Sequence, residues 1–278
     1  MTGRPARADL RQKRMKVSIR FLKDFVKKWY PLILLICVWE LVSRTKMVDP
    51  FYLPPFTLSM KALLEGLFVN GDIWLHIEMS LFRAVAGLVS SIVVGTVIGL
   101  LMARYASVNS FLDPLISIIF PTPKLALFPI LIFWFGIGQV SKILLIGMTC
   151  FFPVVVNTYA GVKNVDKYLI WNATTKGASG RQILQKVILP AAMPFIFTGI
   201  RVASSFAFIL IVASEMIAAN DGLGFFIIAS ERTFNSDVMF AGIILIGILG
   251  FWFDRFILYL QKRLFVWRDV GEERAPGI

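Results

Sequence analysis

The sequence predicts an all-α, polytopic membrane protein with about six transmembrane helices. Of its 278 residues, 57% are hydrophobic and only 17% are charged, against about 25% charged in soluble domains. Two runs, Ala84–Ala103 and Ile143–Val162, are each twenty residues long and carry no charge. At ~1.5 Å per residue, each is long enough for a hydrocarbon core of ~30 Å. The charges that remain are clustered. Ten of the 29 basic residues, from Arg4 to Lys28, lie within the first thirty positions. A basic cluster just before an apolar run is what a cytoplasmic anchor requires. It accounts for much of the net charge of +12 without nucleic acid as a partner. No interleaved aromatic and basic motif of the RNA-binding kind occurs.

The chain divides into a basic N-terminal segment (1–28), a transmembrane part (29–265) and a polar tail (266–278). The first span covers about Trp29 to Ser43 and is retained, since no small-residue cleavage site follows it. Leu58, Leu63, Leu64, Leu67 and Phe68 then form one face of a short amphipathic helix in a loop reaching about residue 78. The second span is Ala84–Ala103. Its Ser91, Gly95 and Gly99 recur every fourth residue, a small-residue stripe that lets another helix approach closely. The third, "PTPKLALFPILIFWFGIG" (121–138), is broken by Pro121 and Pro123 near the cytoplasmic side, with Lys124 snorkelling there and Gly136 and Gly138 at its end. Ile143–Val162, Ala191–Ser214 and Val238–Leu260 complete the six.

Basic residues orient these spans. With a cytoplasmic N-terminus, six spans return the C-terminus to the cytoplasm and place 163–189 inside. That segment holds Lys163, Lys167, Lys176, Arg181 and Lys186 against Asp166 alone. The outer stretch 219–237 holds Arg232 against Asp221, Glu231 and Asp237. The positive-inside rule agrees.

The polar stretch "WNATTKGASGRQILQKVILP" (171–190) has a specified shape. Asp166 is placed to N-cap a helix running to about Lys176, and Gly177 to end it in the left-handed conformation. Ser179 and Gln182 have the capping-box spacing for a second helix to about Leu189. Pro190 then begins the next span. The residues alone allow a solvated loop or a fixed, basic, partly apolar knob for a cytoplasmic protein partner.

Here the sequence resembles the permeases of ABC importers. Their cytoplasmic motif reads E-A-A-x-x-x-G, nine residues, then I-x-L-P. Ala173 and Gly177 occupy its second alanine and glycine, and Val187, Leu189 and Pro190 its tail. "PTPKLALFPILIFWFGIG", "SKILLIG", "FFPVVVNTYAGVKNVDK" and "ASEMIAANDGLGFFI" resemble the nitrate/sulfonate/taurine branch. The motif's glutamate falls on Trp171 and its first alanine on Asn172.

The resemblance implies a non-catalytic subunit without cofactor or metal in the bacterial cytoplasmic (inner) membrane. Trp171, Asn172, Ala173, Gly177, Ala178, Ser179, Leu189 and Pro190 would form the coupling helix region that meets a separate ABC ATPase. A periplasmic or extracellular solute-binding protein and a second permease copy, in a homodimer, would be the other partners. The solute would be a small anion such as nitrate or a sulfonate, or a related small organic molecule.

Few ionisable groups fall in the apolar runs. Arg201 is expected to snorkel at the cytoplasmic end of the fifth span, and Glu215 to cap the "NDGLG" turn or line the pathway. Gly222 and Gly224 mark a tight outer turn, or with Glu215 a gate. The alternative function, an ion-coupled secondary transporter, would have only Glu40 and Glu215 as coupling acids. Cys37 and Cys150 read as buried hydrophobes, and His76 as a boundary residue. No phosphate-binding G-x-x-x-x-G-K-[ST] loop occurs.

Overall fold

The computed structural model of the chain describes residues 29–264. The basic N-terminal segment 1–28 and the tail 266–278 lie outside the described residues. Helix α1 covers residues 29–44. Then follow α2 (Phe56–Glu65), α3 (Ile73–Arg104), α4 (Ala106–Ile119), α5 (Phe128–Phe135), α6 (Gln139–Lys163), α7 (Lys167–Thr175), α8 (Gly180–Ile183), α9 (Leu189–Ile217), α10 (Leu223–Arg232) and α11 (Ser236–Leu264). Among the described residues four helices are long and apolar enough to cross a membrane: Ile73–Arg104, Gln139–Lys163, Gly180–Ile217 and Ser236–Leu264. The segments Ala106–Ile119 and Lys124–Phe135, bent by 89°, meet the same criterion only together and make a fifth when counted as one broken span. The expected all-α, multi-span architecture is present.

Helix α6 is the centre of the bundle, packed between α3 and α9 along their lengths. Hydrocarbon tails are as apolar as leucine, so helices in a membrane associate through close packing and not through burial from water. The small-residue stripe on α3 supplies that packing. Gly87, Gly95 and Gly99 face Ile146, Val154 and Thr158 of α6, and a Cβ on Gly99 would lie 2.7 Å from the Thr158 Cβ. Ala84, Leu88, Phe128, Leu145, Ile146 and Ile211 are among the residues of the main core this creates.

Several expected boundaries move. The second span begins at Ile73, eleven residues before Ala84, and carries His76 and Arg83 within the helix. The break at Pro121 and Pro123 is present. However, residues 106–119 form a helix before it, and the two arms meet at 89°. Lys124 is 7% exposed, its ammonium turned to the Ile119 and Phe120 carbonyls and not to an open surface. Pro190 does not start a new helix either. A π turn at Leu184–Ile188 joins α8 to α9 in one continuous helix, with Leu189 N–H donating to the Leu184 carbonyl. That wider turn relieves the clash a proline makes with the carbonyl four residues earlier. Of the expected apolar face, Leu63 is buried and Leu67 packs beside it, whereas Leu58, Leu64 and Phe68 are exposed, and Ser59 is the other buried residue of α2. Cys150 is buried, its thiol donating to the Ala203 carbonyl at 3.1 Å. Cys37 is exposed on α1, against expectation.

Substituting Gly99 by leucine should force α3 away from α6. The expected loss is ~1–3 kcal/mol, read as a lowered midpoint of thermal unfolding in detergent, with Gly247→Leu, which has open space, as the neutral control.

Candidate functional site

The polar stretch folds as a rigid knob between α6 and α9. The Asp166 carboxylate accepts from Tyr168 N–H at 2.8 Å, capping α7. At its other end Gly177 has φ +78. Gly177 N–H donates to Thr174 O at 2.9 Å and Ala178 N–H to Ala173 O at 3.1 Å, the paired bonds of a Schellman termination. Ser179 and Gln182 form the capping box reciprocally, with Ser179 N–H donating to Gln182 Oε1 at 2.8 Å and Gln182 N–H to Ser179 Oγ at 3.4 Å. Orphan backbone groups at both helix ends are therefore satisfied locally.

The knob is seated on the bundle by Val165, Ala192 and Ile196, against which Ile170 and Leu189 pack. Its outward surface is aromatic and basic. Trp171 is 60% exposed and stacks edge-on with Tyr168, centroids 5.5 Å apart. Asn172, Ala173, Lys176, Lys186, Val187 and Pro190 line an open cleft beside α7. All eight residues expected at this site thus fall within one compact unit.

The opposite end of the bundle holds a buried polar cluster centred on Arg83, a residue sequence reasoning did not single out. Arg83 is 2% exposed and Glu215 is 1% exposed. Arg83 Nη1 donates to Glu215 Oε1 at 2.5 Å and to the Asp221 carbonyl at 3.1 Å. Its Nη2 donates to the Asp221 carboxylate and its Nε to Gln139 Oε1. Glu215 Oε2 accepts from Ser80 Oγ at 2.7 Å and from Gly224 N–H at 3.0 Å. Ser80 Oγ in turn accepts from Leu223 N–H at 2.8 Å, and His76 Nδ1 from Gly222 N–H at 3.0 Å. Glu215 therefore caps the N-terminus of α10, the structural one of its two expected roles.

The glycines of this turn are required by it. Gly222 has φ +104, and a Cβ there would lie 2.3 Å from the Glu215 carboxyl carbon. A Cβ on Gly224 would lie 2.4 Å from the Val212 carbonyl oxygen. The signal that could have exposed Arg83 is periodicity. His76, Ser80, Arg83 and Gly87 continue the face of Ser91, Gly95 and Gly99, so Arg83 stands on the packed side of α3.

Two other ionisable groups are also tied down. Arg201 is ion-paired; its Nε and Nη2 donate to both Asp254 oxygens of α11, at 2.7 and 3.2 Å. Glu40 accepts from Arg44 Nε at 2.6 Å, from Thr57 N–H at 3.1 Å and from Thr57 Oγ1 at 2.9 Å, holding α1 to the start of α2.

Arg83→Met leaves Glu215 buried without its cation. The expected cost is ~3–5 kcal/mol, whereas Arg201→Met, in a pair nearly half exposed on the arginine side, should cost about 1 kcal/mol or less. Thermal unfolding of the two variants side by side in detergent measures the difference.

Comparison with known proteins agrees with this architecture. Residues 95–266 match the family described as binding-protein-dependent transport system inner membrane component. The chain is 38% identical over 241 residues to the taurine transport system permease protein TauC of Escherichia coli, covering 85% of this chain and 87% of that one. It is 33% identical over 239 residues to a Bacillus subtilis protein carrying the name aliphatic sulfonates transport permease SsuC, covering 86% of each. A chain of the MetNI methionine ABC transporter, solved in an inward-facing conformation, superimposes with a TM-score of 0.61 at 18% identity, covering 71% of this chain and 99% of that one. That last likeness concerns the fold. In such transporters the permease is the non-catalytic membrane component, and ATP hydrolysis belongs to a partner. Helices, matched segment and relatives together make the chain a member of the ABC-transporter permease family, the inner membrane component of binding-protein-dependent transport systems.

Proposed function

We propose that this permease imports a small sulfonate-bearing solute into the cytoplasm, driven by a separate ATPase that engages residues 166–189. The observation that carries this reading is the rigid knob. It is capped at every helix end, it presents the exposed Trp171 and Tyr168 pair, and it is fused to a membrane helix. Its basic residues support a cytoplasmic position for it, in a topology with both termini in the cytoplasm and the Arg83 cluster at the outer face. The sulfonate class is supported by the relatives named for taurine and aliphatic sulfonates.

Mechanically, α8, the π turn and α9 form one 38-residue helix, ~57 Å long at 1.5 Å per residue. A displacement of the knob by a closing ATPase pair is carried along this rod to Glu215 and the α10 turn it holds. The pathway forms between two copies of the chain, and a solute-binding protein delivers at the outer face. Trp171, where the family motif has an acid, seats in the ATPase by burying aromatic area. The ion-coupled alternative would need a carboxylate free to exchange protons or ions. Glu40 and Glu215 are both fully engaged with cations and backbone N–H groups.

Reconstitution with the ATPase and the binding protein in proteoliposomes tests the reading. Taurine or methanesulfonate should accumulate only with ATP and the ATPase present; uptake without the ATPase overturns it. Gly177→Val places a β-branched residue where φ is +78, at ~1–2 kcal/mol of local strain. Hydrolysis should continue while uptake per ATP falls about tenfold or more. If Trp171→Glu binds and couples the ATPase as the parent does, the aromatic anchor is wrong.

A further inference from the structure

Buried charge is distributed unequally between the two ends of the pathway region. At the Arg83 cluster, Arg83 is ion-paired with Glu215 and Asp221, and the neighbouring Lys142, whose ammonium donates to the Ile137 and Gly138 carbonyls, lies in the field of the same two carboxylates. Lys124, at the break between α4 and α5, is 7% exposed and has no carboxylate within ion-pair distance among the described residues. Its ammonium donates to the Ile119 carbonyl at 2.7 Å and to the Phe120 carbonyl. It also lies over the Phe152 ring, 4.5 Å from the centroid. Those carbonyls lie at the C-terminal end of α4, where a cation is favoured, and Ile119 O also accepts from Thr122 N–H and Oγ1. The two carbonyls engage two of the three ammonium protons and supply no formal opposite charge.

The position of this charge is also unusual. Phe152 is one residue from the midpoint of α6 (Gln139–Lys163), ~20 Å from one end of that helix and ~17 Å from the other. Lys124 therefore sits at mid-membrane depth, where an ionisable group is expensive and faces protein or a water-filled path. The backbone beside it is irregular and exposed from Phe120 to Pro123. Non-helical backbone at this depth is tolerated only inside protein or along an aqueous cavity. A cleft of ≈360 Å³ opens there, lined in part by Phe120, Thr122, Lys124, Thr149, Phe206 and Leu210. That volume suits a small organic molecule.

We propose that this cleft is a transit site for the solute, with Lys124 holding the oxyanion head and Phe206 and Leu210 flanking the apolar part. The ligand class is a small organic anion bearing a sulfonate or a carboxylate. The inference rests on the import reading and adds to it the place in the membrane where the anion is held. It also accounts for how a chain whose outer stretch is not basic passes an anion. The countercharge lies at the break in the fifth candidate span, not at the mouth.

The test requires neither the ATPase nor a binding protein, so its failure is distinguishable from failure of the import reading. Thr122→Cys is made in the full chain with Cys37 and Cys150 replaced by alanine. Labelling rates in membranes are compared for the anionic 2-sulfonatoethyl methanethiosulfonate and the cationic 2-(trimethylammonium)ethyl analogue, each normalised to its rate with 2-mercaptoethanol. The anionic reagent should be favoured about tenfold by the adjacent positive charge. Lys124→Arg should keep the preference and Lys124→Met should abolish it. In the chain that retains Lys124, millimolar methanesulfonate should slow labelling severalfold and tetramethylammonium should not. Equal normalised rates, a preference that survives Lys124→Met, no labelling by either reagent, or no protection by methanesulfonate would each overturn the proposal.

Discussion

An arginine buried to 2% exposure inside a membrane helix is tolerable only where its charge and its N–H groups are met by protein, and Arg83 makes the rest of this fold answer to that requirement. Its guanidinium reaches Glu215 at the end of α9, Asp221 in the following turn and Gln139 at the start of α6. Three separate segments are thereby brought to α3 at one level. The glycines of the turn follow from it, since any side chain at Gly222 would enter the space of the Glu215 carboxylate. The Glu215 carboxylate in turn caps α10, which fixes how that helix lies on α11 and completes a second core around Leu63, Ile73, Leu223 and Leu245.

The opposite end is organised by backbone satisfaction, not by charge. Asp166, Gly177, Ser179 and Gln182 each settle helix-end groups within a few residues of themselves. The knob is therefore stiff without being deeply embedded. Stiffness matters because the knob leads into α9 without a break. The π turn at Leu184–Ile188 accommodates Pro190 and keeps the helix continuous. The capped turn at Ser179 and the Glu215 carboxylate thus lie near the two ends of one continuous helix, Gly180–Ile217.

Much of this was legible from local rules. The caps of the knob depend on side chains two or three residues away, so spacing alone specifies them. The Ser91, Gly95 and Gly99 stripe announced a close helix contact because helical periodicity puts those residues on one side. The same periodicity, extended upward, contained Arg83 and Ser80. Treating a charge as the end of a span hid them. The leucines of α2 misled for a related reason: a leucine in a membrane protein is at home against lipid, so hydrophobicity does not distinguish a packed face from a lipid face. Leu63 and Leu67 meet the core and Ser59 is buried, while Leu58 and Leu64 of α2 are exposed.

Composition, charge asymmetry and short-range capping were enough to establish a helical membrane protein, its local geometry at 166–190, and the side of the membrane its basic segments favour. They act through solvent preference and through bonds between near neighbours, which a linear reading contains. The tertiary structure decided what depends on distant partners. It paired Arg83 with Glu215 across 132 positions and Arg201 with Asp254 across 53. It also buried Lys124 against the Phe152 ring of α6. A charge in a membrane is stable only with its particular neighbours, and those neighbours are set by helix packing and not by order along the chain.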